Sequence, residues 1–170
     1  EEKLNIVIDA SELGTWEIDM KTTEVVASDR FYEISGYKSR IKLTIGDTAK
    51  LIHLDDLHKR EEAFRKAYET GLLYYSCRIV WNDTSVHWIE CKGKVFYDEQ
   101  RNPLNIIGTI SDITNEKNNQ QILLDSEQKF RLLADSMPQH IWTADTEGNL
   151  NYFNQSVFNY SGLTLEQIIK

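Results

Sequence analysis

Proline is nearly absent from this chain, two residues in 170, and glycine is sparse at eight. That scarcity excludes a collagenous, linker-rich or loop-dominated protein. Cysteine is just as scarce, and Cys77 and Cys91 alone cannot make a disulfide framework. Positive charge is in deficit, 19 Lys and Arg against 27 Asp and Glu, giving a formal charge of −8. Nucleic acid and anionic membrane both demand clustered cations, so neither is an expected partner. No apolar run approaches the roughly 20 residues that span a bilayer, and the opening Glu1-Glu2-Lys3-Leu4-Asn5 lacks the basic start of a signal peptide. What is present is 41% hydrophobic and 27% charged, the composition of a soluble, acidic, globular fragment rather than a disordered tail.

An internal repeat organises the chain. Trp16-Glu17-Ile18-Asp19 matches Trp142-Thr143-Ala144-Asp145 at an offset of 126 residues, and without a gap Asp9 then meets Asp135, Tyr32 meets Phe158, Ser35 meets Ser161 and Gly36 meets Gly162. Each copy reads as strand, polar turn, short strand and short helix ending in Ser-Gly. A period of 126 is too long for a solenoid and implies two tandem domains, the second severed about 70 residues short of its end.

In the first copy the pattern predicts strands at Thr15–Met20 and Glu24–Ala27, then a helix capped by Ser28 or Asp29 and stopped by Gly36. Tyr37–Ile52 carries no assignable pattern. Asp55–Glu69 reads as a helix with Leu57, Phe64 and Ala67 or Tyr68 on one face and Lys59, Arg60, Glu61, Glu62, Arg65 and Lys66 on the other. Gly71 ends it. Leu73–Asn82, Ser85–Tyr97 and Leu104–Thr114 are rich in β-branched and aromatic residues and predict an antiparallel meander. Pairing 79 with 89 sets Cys77 opposite Cys91, so a bridge is geometrically conceivable, although buried free thiols are the expectation. Asn115–Ala134, without Gly or Pro, predicts a connecting helix whose Leu123, Phe130 and Met137 lie seven apart, with Ser126 and Leu133 as a companion seam. Both a breakable coiled coil and a solvated linker helix fit that short heptad.

Two strands, small helices and three long antiparallel strands make an α+β order, a five-stranded antiparallel sheet with helices on one face. Six segments in this order resemble the PAS family in its PAS-plus-PAC arrangement: Gly14-Thr15-Trp16-Glu17-Ile18-Asp19, Ile34-Ser35-Gly36-Tyr37, Ile52-His53-Leu54-Asp55-Asp56, Cys77-Arg78-Ile79-Val80, Val86-His87-Trp88-Ile89, and Ile107 through Thr114. The resemblance divides the chain into a PAS domain with a C-terminal PAC motif (1–115), a connecting helix (116–135) and the truncated first half of a second PAS domain (136–170). Three departures stand out. Leu54 replaces a proline before the long helix, and Thr84 and Arg101 stand where the family's hairpins carry Gly, so Asn82 or Asn102 is expected to take the left-handed position instead.

The resemblance implies a cavity between the concave sheet face and the long helix. Side-chain parity puts Tyr75, Cys77, Ile79 and Trp81 on that face, with Ile89, Cys91, Gly93 and Val95 across from them, and Gly93 leaves room in the middle. A pocket for a small, largely apolar molecule and a close-packed, ligand-free core both fit. Trp88, Glu90, Lys92, Lys94 and Phe96 face the other way with some of Leu104, Ile106 and Ile110, a face to be covered by Leu4–Ile8 or a second chain, so a homodimer is expected. His53, Asp55, Asp56 and His58 could suggest metal or acid–base chemistry, but the two histidines sit about 140° apart around a helix. Asp55 or Asp56 is better explained as an N-cap. Haem is only weakly supported through His58, no flavin-type helical cysteine motif is present, and the cofactor stays unknown. No phosphate loop, CxxC pair, nucleophile elbow or kinase box occurs, so no catalytic or metal residue is assigned and no enzyme is expected here. The resemblance implies a cytoplasmic sensory and relay module of a bacterial signalling protein, with a two-component sensor histidine kinase first among outputs that include a diguanylate cyclase. Asp112-Ile113-Thr114 is the expected relay from last strand to connecting helix. A ligand-free dimerisation module is the alternative, and the truncated half is expected to lean on the first domain or a neighbouring chain.

Overall fold

Alternating apolar and polar residues give each strand one face to bury, and the strands of this protein bury it under a short-helix layer. The structure is a computed structural model that describes residues 12–168. The repeat partner Asp9 and the Leu4–Ile8 cover therefore lie outside the described residues. The chain divides into two units, one through Lys117 and one from Asn118.

In the first unit the order is β1 (Gly14–Asp19), β2 (Glu24–Ala27), α1 (Asp29–Ile34), β3 (Leu43–Thr44), α2 (Ile45–Lys50), a 3₁₀ turn (Leu54–Asp56), α3 (Leu57–Thr70), β4 (Leu72–Val80), β5 (Val86–Tyr97) and β6 (Pro103–Asp112). The sheet is antiparallel throughout, in the order β3-β2-β1-β6-β5-β4. It has six strands among the described residues rather than the expected five, because Leu43 and Thr44 pair with Val25 and Glu24. That pairing sits in the stretch without a readable pattern, where Thr44 and Asp47 form a reciprocal capping box that starts α2. Ser28 caps α1 by accepting the Phe31 N–H.

The core lies between the concave face and the three helices, with Leu43, Leu73, Ile79, Ile106 and Ala67 at 2% exposure or less. Of Leu104, Ile106 and Ile110, some of them expected on the outer face, Leu104 is exposed while Ile106 and Ile110 are buried in the core; Ile107 is exposed as well. The parity is set by one row across the sheet, Trp16 opposite Gly108 and Gly108 opposite Gly93. The Trp16 ring lies over both glycines. A Cβ on Gly108 would stand 2.5 Å from Trp16 Cζ2 and 2.2 Å from the Lys92 carbonyl oxygen, and one on Gly93 2.9 Å from Trp16 Cη2. The room left at Gly93 is thus taken by an indole from another strand.

Register and turns also depart from expectation. Val80 pairs with Val86 and Ile79 with His87, so Cys77 faces Ile89 while Cys91 faces Tyr75. The thiols are diagonal neighbours, and both are free. The turn holds five residues, Trp81–Ser85, with Trp81 N–H donating to Ser85 O and Thr84 N–H to Trp81 O. Asp98–Asn102 repeats that geometry, with Asp98 N–H donating to Asn102 O and Arg101 N–H to Asp98 O. The left-handed positions are Thr84 (φ 69°) and Arg101 (φ 66°), not Asn82 or Asn102. Carboxylate oxygens of Asp83 and Asp98 accept the following backbone N–H groups and hold both turns in this form.

A continuous helix, α4 (Thr114–Ser136), follows β6, and then come β7 (Trp142–Ala144), β8 (Leu150–Phe153), α5 (Gln155–Ser161) and α6 (Leu165–Ile168). In this second unit the 126-residue offset extends to individual hydrogen bonds. Trp142 pairs with Phe153 as Trp16 pairs with Ala27. Ile141 and Asn154 exchange the same bonds as Thr15 and Ser28: the strand N–H donates to the cap side chain, and the cap N–H returns to the strand carbonyl. The hairpin leans on the end of α4. Buried Asn154 donates through Nδ2 to Ala134 O (2.7 Å) and Gln139 O (2.9 Å), Asp135 accepts the Gln155 N–H, and Phe130 packs on Tyr152 with ring centres 5.1 Å apart. Among the described residues no helix is long and apolar enough to cross a membrane.

Candidate functional site

Two features of the first unit can carry function, a cavity under the sheet and the junction where β6 becomes α4. The cavity is about 40 Å³, room for about three water molecules. β1, β2, β4, β5 and β6 form its floor and α1, α2 and α3 its roof. Of the eight residues expected to line it, Tyr75, Ile79, Ile89 and Cys91 do. Cys77 and Val95 are buried outside it. Trp81 stands at the sheet end, its Nε1 donating to Ile34 O and its ring stacked 3.7 Å from that of His87, and Gly93 lies under Trp16.

The lining also includes residues that sequence reasoning did not select: Trp16, Phe31, Thr48, Arg60 and Phe64. Arg60, assigned to the solvent face of the long helix, is half-buried; its Nη2 donates to Ile45 O and Thr48 Oγ1, and its guanidinium sits 4.6 Å over the Phe64 ring. Its place four residues before Phe64 was the available signal, since i,i+4 spacing sets it at the edge of the apolar stripe. Burial drives the Cys77 and Cys91 thiols up to about 12, and the buried Tyr75 hydroxyl well above its ordinary range. These groups stay protonated at neutral pH and serve as lining. A porphyrin or isoalloxazine ring is many times larger than this cavity, no histidine lines it, and His58 is exposed on α3, so the residues present fit neither group.

Asp56 holds the N-cap position of α3 without capping it. Its side chain, 1% exposed, makes no capping bond and turns instead to Arg78 on β4, accepting from Arg78 Nε (2.9 Å), Nη2 (3.0 Å) and backbone N–H (2.9 Å). Lys59 Nζ lies 2.8 Å from its other flank. These donors, Arg78 foremost, hold its carboxyl far below the usual range despite burial. His53 supplies the local cap, its Nδ1 accepting the Asp55 N–H. Among the described residues no group of three or more His, Cys, Asp and Glu side chains could hold a metal ion.

At the junction, Thr114 joins three elements. Its hydroxyl donates to Asp112 and accepts the Trp88 N–H at 2.9 Å, while its own N–H donates to Asp112 Oδ1 at 2.8 Å. Ile113 N–H donates to Trp88 O, and Lys117 N–H to Ile113 O as the first helical bond of α4. Three cations surround the Trp88 ring: Lys59 from α3 (5.7 Å), Arg78 from β4 (5.7 Å) and Lys117 from α4 (5.5 Å). His87 Nδ1 lies 3.6 Å from Asp112 Oδ2. The Asp112-Ile113-Thr114 end of β6 is thereby tied to β5 by backbone and side chain and opens directly into the helix.

Comparison with known proteins agrees with this geometry. The PAS fold family model matches residues 24–110. Relatives include the sensor protein FixL of Bradyrhizobium diazoefficiens, 23% identical over 95% of this chain and 33% of its own length. The peroxide stress-activated histidine kinase mak1 of Schizosaccharomyces pombe is 26% identical over 68% of this chain and 7% of its own length. An uncharacterized Sinorhizobium fredii protein, y4lL, is 28% identical over 85% of this chain and 17% of its own length. The chain thus spans a third or less of the length of these relatives. Among solved structures, a sensory box histidine kinase/response regulator from Burkholderia thailandensis superposes with a TM-score of 0.66 at 22% identity, covering 76% of this chain and 98% of that one. The N-terminal domain of a diguanylate cyclase with PAS/PAC sensor from Marinobacter aquaeolei gives 0.55 at 21% identity, covering 62% and 98%. With its six-segment order, its antiparallel sheet under short helices and a family match over residues 24–110, the chain belongs to the PAS fold family.

Proposed function

We propose that this chain is a sensory and signal-relay module of a multidomain signalling protein, one whose parent is a sensor histidine kinase. Residues 1–115 form a PAS domain ending in a PAC motif, 116–135 the connecting helix, and 136–170 the first half of a second PAS domain. The last assignment is supported by Trp142, which repeats Trp16 but is 58% exposed where Trp16 is 5% exposed. A small ligand in the cavity, or a change at a dimer face, biases the end of β6, and Asp112-Ile113-Thr114 passes that bias into α4. The observation that carries this reading is the Thr114 hydroxyl, bonded at once to Asp112 and to the Trp88 N–H where strand becomes helix. The test is Asp112→Ala in the parent protein: regulation of the output is lost while the fold persists, and unchanged regulation removes the relay role.

A homodimer is part of the proposal. Leu123 and Phe130, seven apart on α4, and Met137, one residue past its end, are 70%, 45% and 44% exposed, and Val26, Leu104 and Ile107 expose apolar surface on the outer sheet face. Light scattering at micromolar concentration gives a dimer mass that Leu123→Glu reduces; a clean monomer for the parent sequence counts against it. The small volume of the cavity favours one second reading, a ligand-free dimerisation module. Native mass spectrometry separates the two through a co-purifying small molecule.

A further inference from the structure

Two residues that line the cavity each carry a buried nitrogen donor without an acceptor. Trp16 Nε1 and Arg60 Nε are shielded from solvent, neither has a hydrogen-bond partner, and both residues line the same space. A donor left unpaired in a protein interior is costly, so two on the lining of one cavity call for a group that accepts from them. The third orphaned atom, Asn105 Oδ1, lies elsewhere, on a side chain that reaches Glu17.

Arg60 adds charge to that demand. Its contacts, Ile45 O, Thr48 Oγ1 and the Phe64 ring, are all neutral. Among the described residues no carboxylate lies within 4.0 Å of it, whereas Arg30, Arg40, Arg65, Arg78 and Arg131 each have one. Its charge acts at Tyr75 and Cys91, where it opposes the upward push of burial. The rest of the lining is mostly apolar, with Ile18, Val25, Phe31, Ile79 and Ile110 prominent. One uncompensated cation, two free donors and an apolar wall suit a single negative charge on a small hydrocarbon. A phosphate or sulfate ion brings more charge than one guanidinium neutralises and offers nothing to the apolar wall.

We infer that the cavity binds a short monocarboxylate, acetate or propionate in size, whose carboxylate accepts from Arg60 and Trp16 and whose alkyl end lies against the apolar wall. The inference rests on the sensory reading and narrows it to a ligand class. A cavity of about 40 Å³ limits the occupant to a few heavy atoms.

The test follows the Trp16 indole N–H in a ¹⁵N–¹H spectrum, assigned by its disappearance in Trp16→Phe. The chain is titrated separately with propionate, propionamide and 1-propanol. Propionate shifts this resonance saturably and binds at least about tenfold more tightly than the uncharged pair, in line with charge-assisted bonding. Arg60→Gln abolishes the preference; Arg60→Lys, which keeps the charge but not the Nε donor, weakens it. Equal affinity for propionate and propionamide, or an undiminished preference in Arg60→Gln, overturns the carboxylate and leaves an apolar sensing pocket standing. No saturable shift with any of the three, nor with xenon, shows a water-filled or closed core and overturns the pocket as well. The wild-type comparison decides even if the Arg60 variants fail to fold.

Discussion

Asp56 combines near-complete burial with full ionisation, and Arg78 and Lys59 make that tolerable. Removing one side of such a pair leaves the other charge stranded. Asp56→Asn is expected to cost about 3 kcal/mol at pH 7, at the low end for buried pairs because Arg78 keeps some contact with water. The pH dependence follows from the lowered carboxyl pKa: the stabilisation is complete above the ordinary value of about 4 and is lost as pH falls through the depressed folded value. Urea denaturation of both proteins from pH 7 to pH 2 therefore shows the gap closing at the acid end. Gly108→Ala is expected to lose about 3 kcal/mol by overpacking, since the added methyl meets a backbone carbonyl that cannot step aside. A Tm unchanged within a degree contradicts the stacking of Trp16 over the glycine pair. These residues also mark where local reading of the sequence stops. Asp56 at a helix start looks like a cap, and only the strand 22 residues on supplies the guanidinium that outbids the capping bond. Gly93 looks like a void because the ring that fills it comes from Trp16, far away along the chain.

Elements were legible wherever periodicity is strong. Alternation in β4, β5 and β6 and the apolar stripe of α3 place them within a residue or two of their observed limits. Register was not, because it depends on the turn: five residues between β4 and β5 shift the pairing by two and separate the thiols. β3 and α2 were missed because a two-residue strand carries no period; the Thr44-x-x-Asp47 box was the one sign available. The turns yield a prediction of their own. Thr84 and Arg101 occupy left-handed positions that a β-branched or long side chain resists, while Gly148 takes the corresponding place in Asp145–Asn149. Thr84→Gly is expected to raise stability by about 1 kcal/mol and Arg101→Gly by somewhat less, as Tm increases in calorimetry. Losses instead would mean that those side chains make contacts worth more than the backbone strain.

Across the whole molecule the recurring motif is strand, turn, strand and short helix, used twice at an offset of 126 residues, once within a six-stranded sheet and once in a two-stranded one. Trp16 buried and Trp142 exposed express that difference in a single side chain. The repeat could be read from the sequence because it is written in residue identities; the support the second copy draws from the end of α4 could not, since it depends on one buried Asn154 reaching three carbonyls. In the proposed relay, the first unit communicates the state of its core to α4. Hydrogen exchange by mass spectrometry tests this, in Phe31→Leu, which alters the cavity wall from α1, far from Thr114 along the chain. With β5 amides as the internal reference, the first turns of α4 are predicted to exchange several-fold faster in Phe31→Leu than in the parent sequence, and the response is predicted to vanish when Thr114→Val is already present. Identical exchange in α4 for parent and Phe31→Leu, or a response that survives Thr114→Val, would contradict a relay through Asp112-Ile113-Thr114.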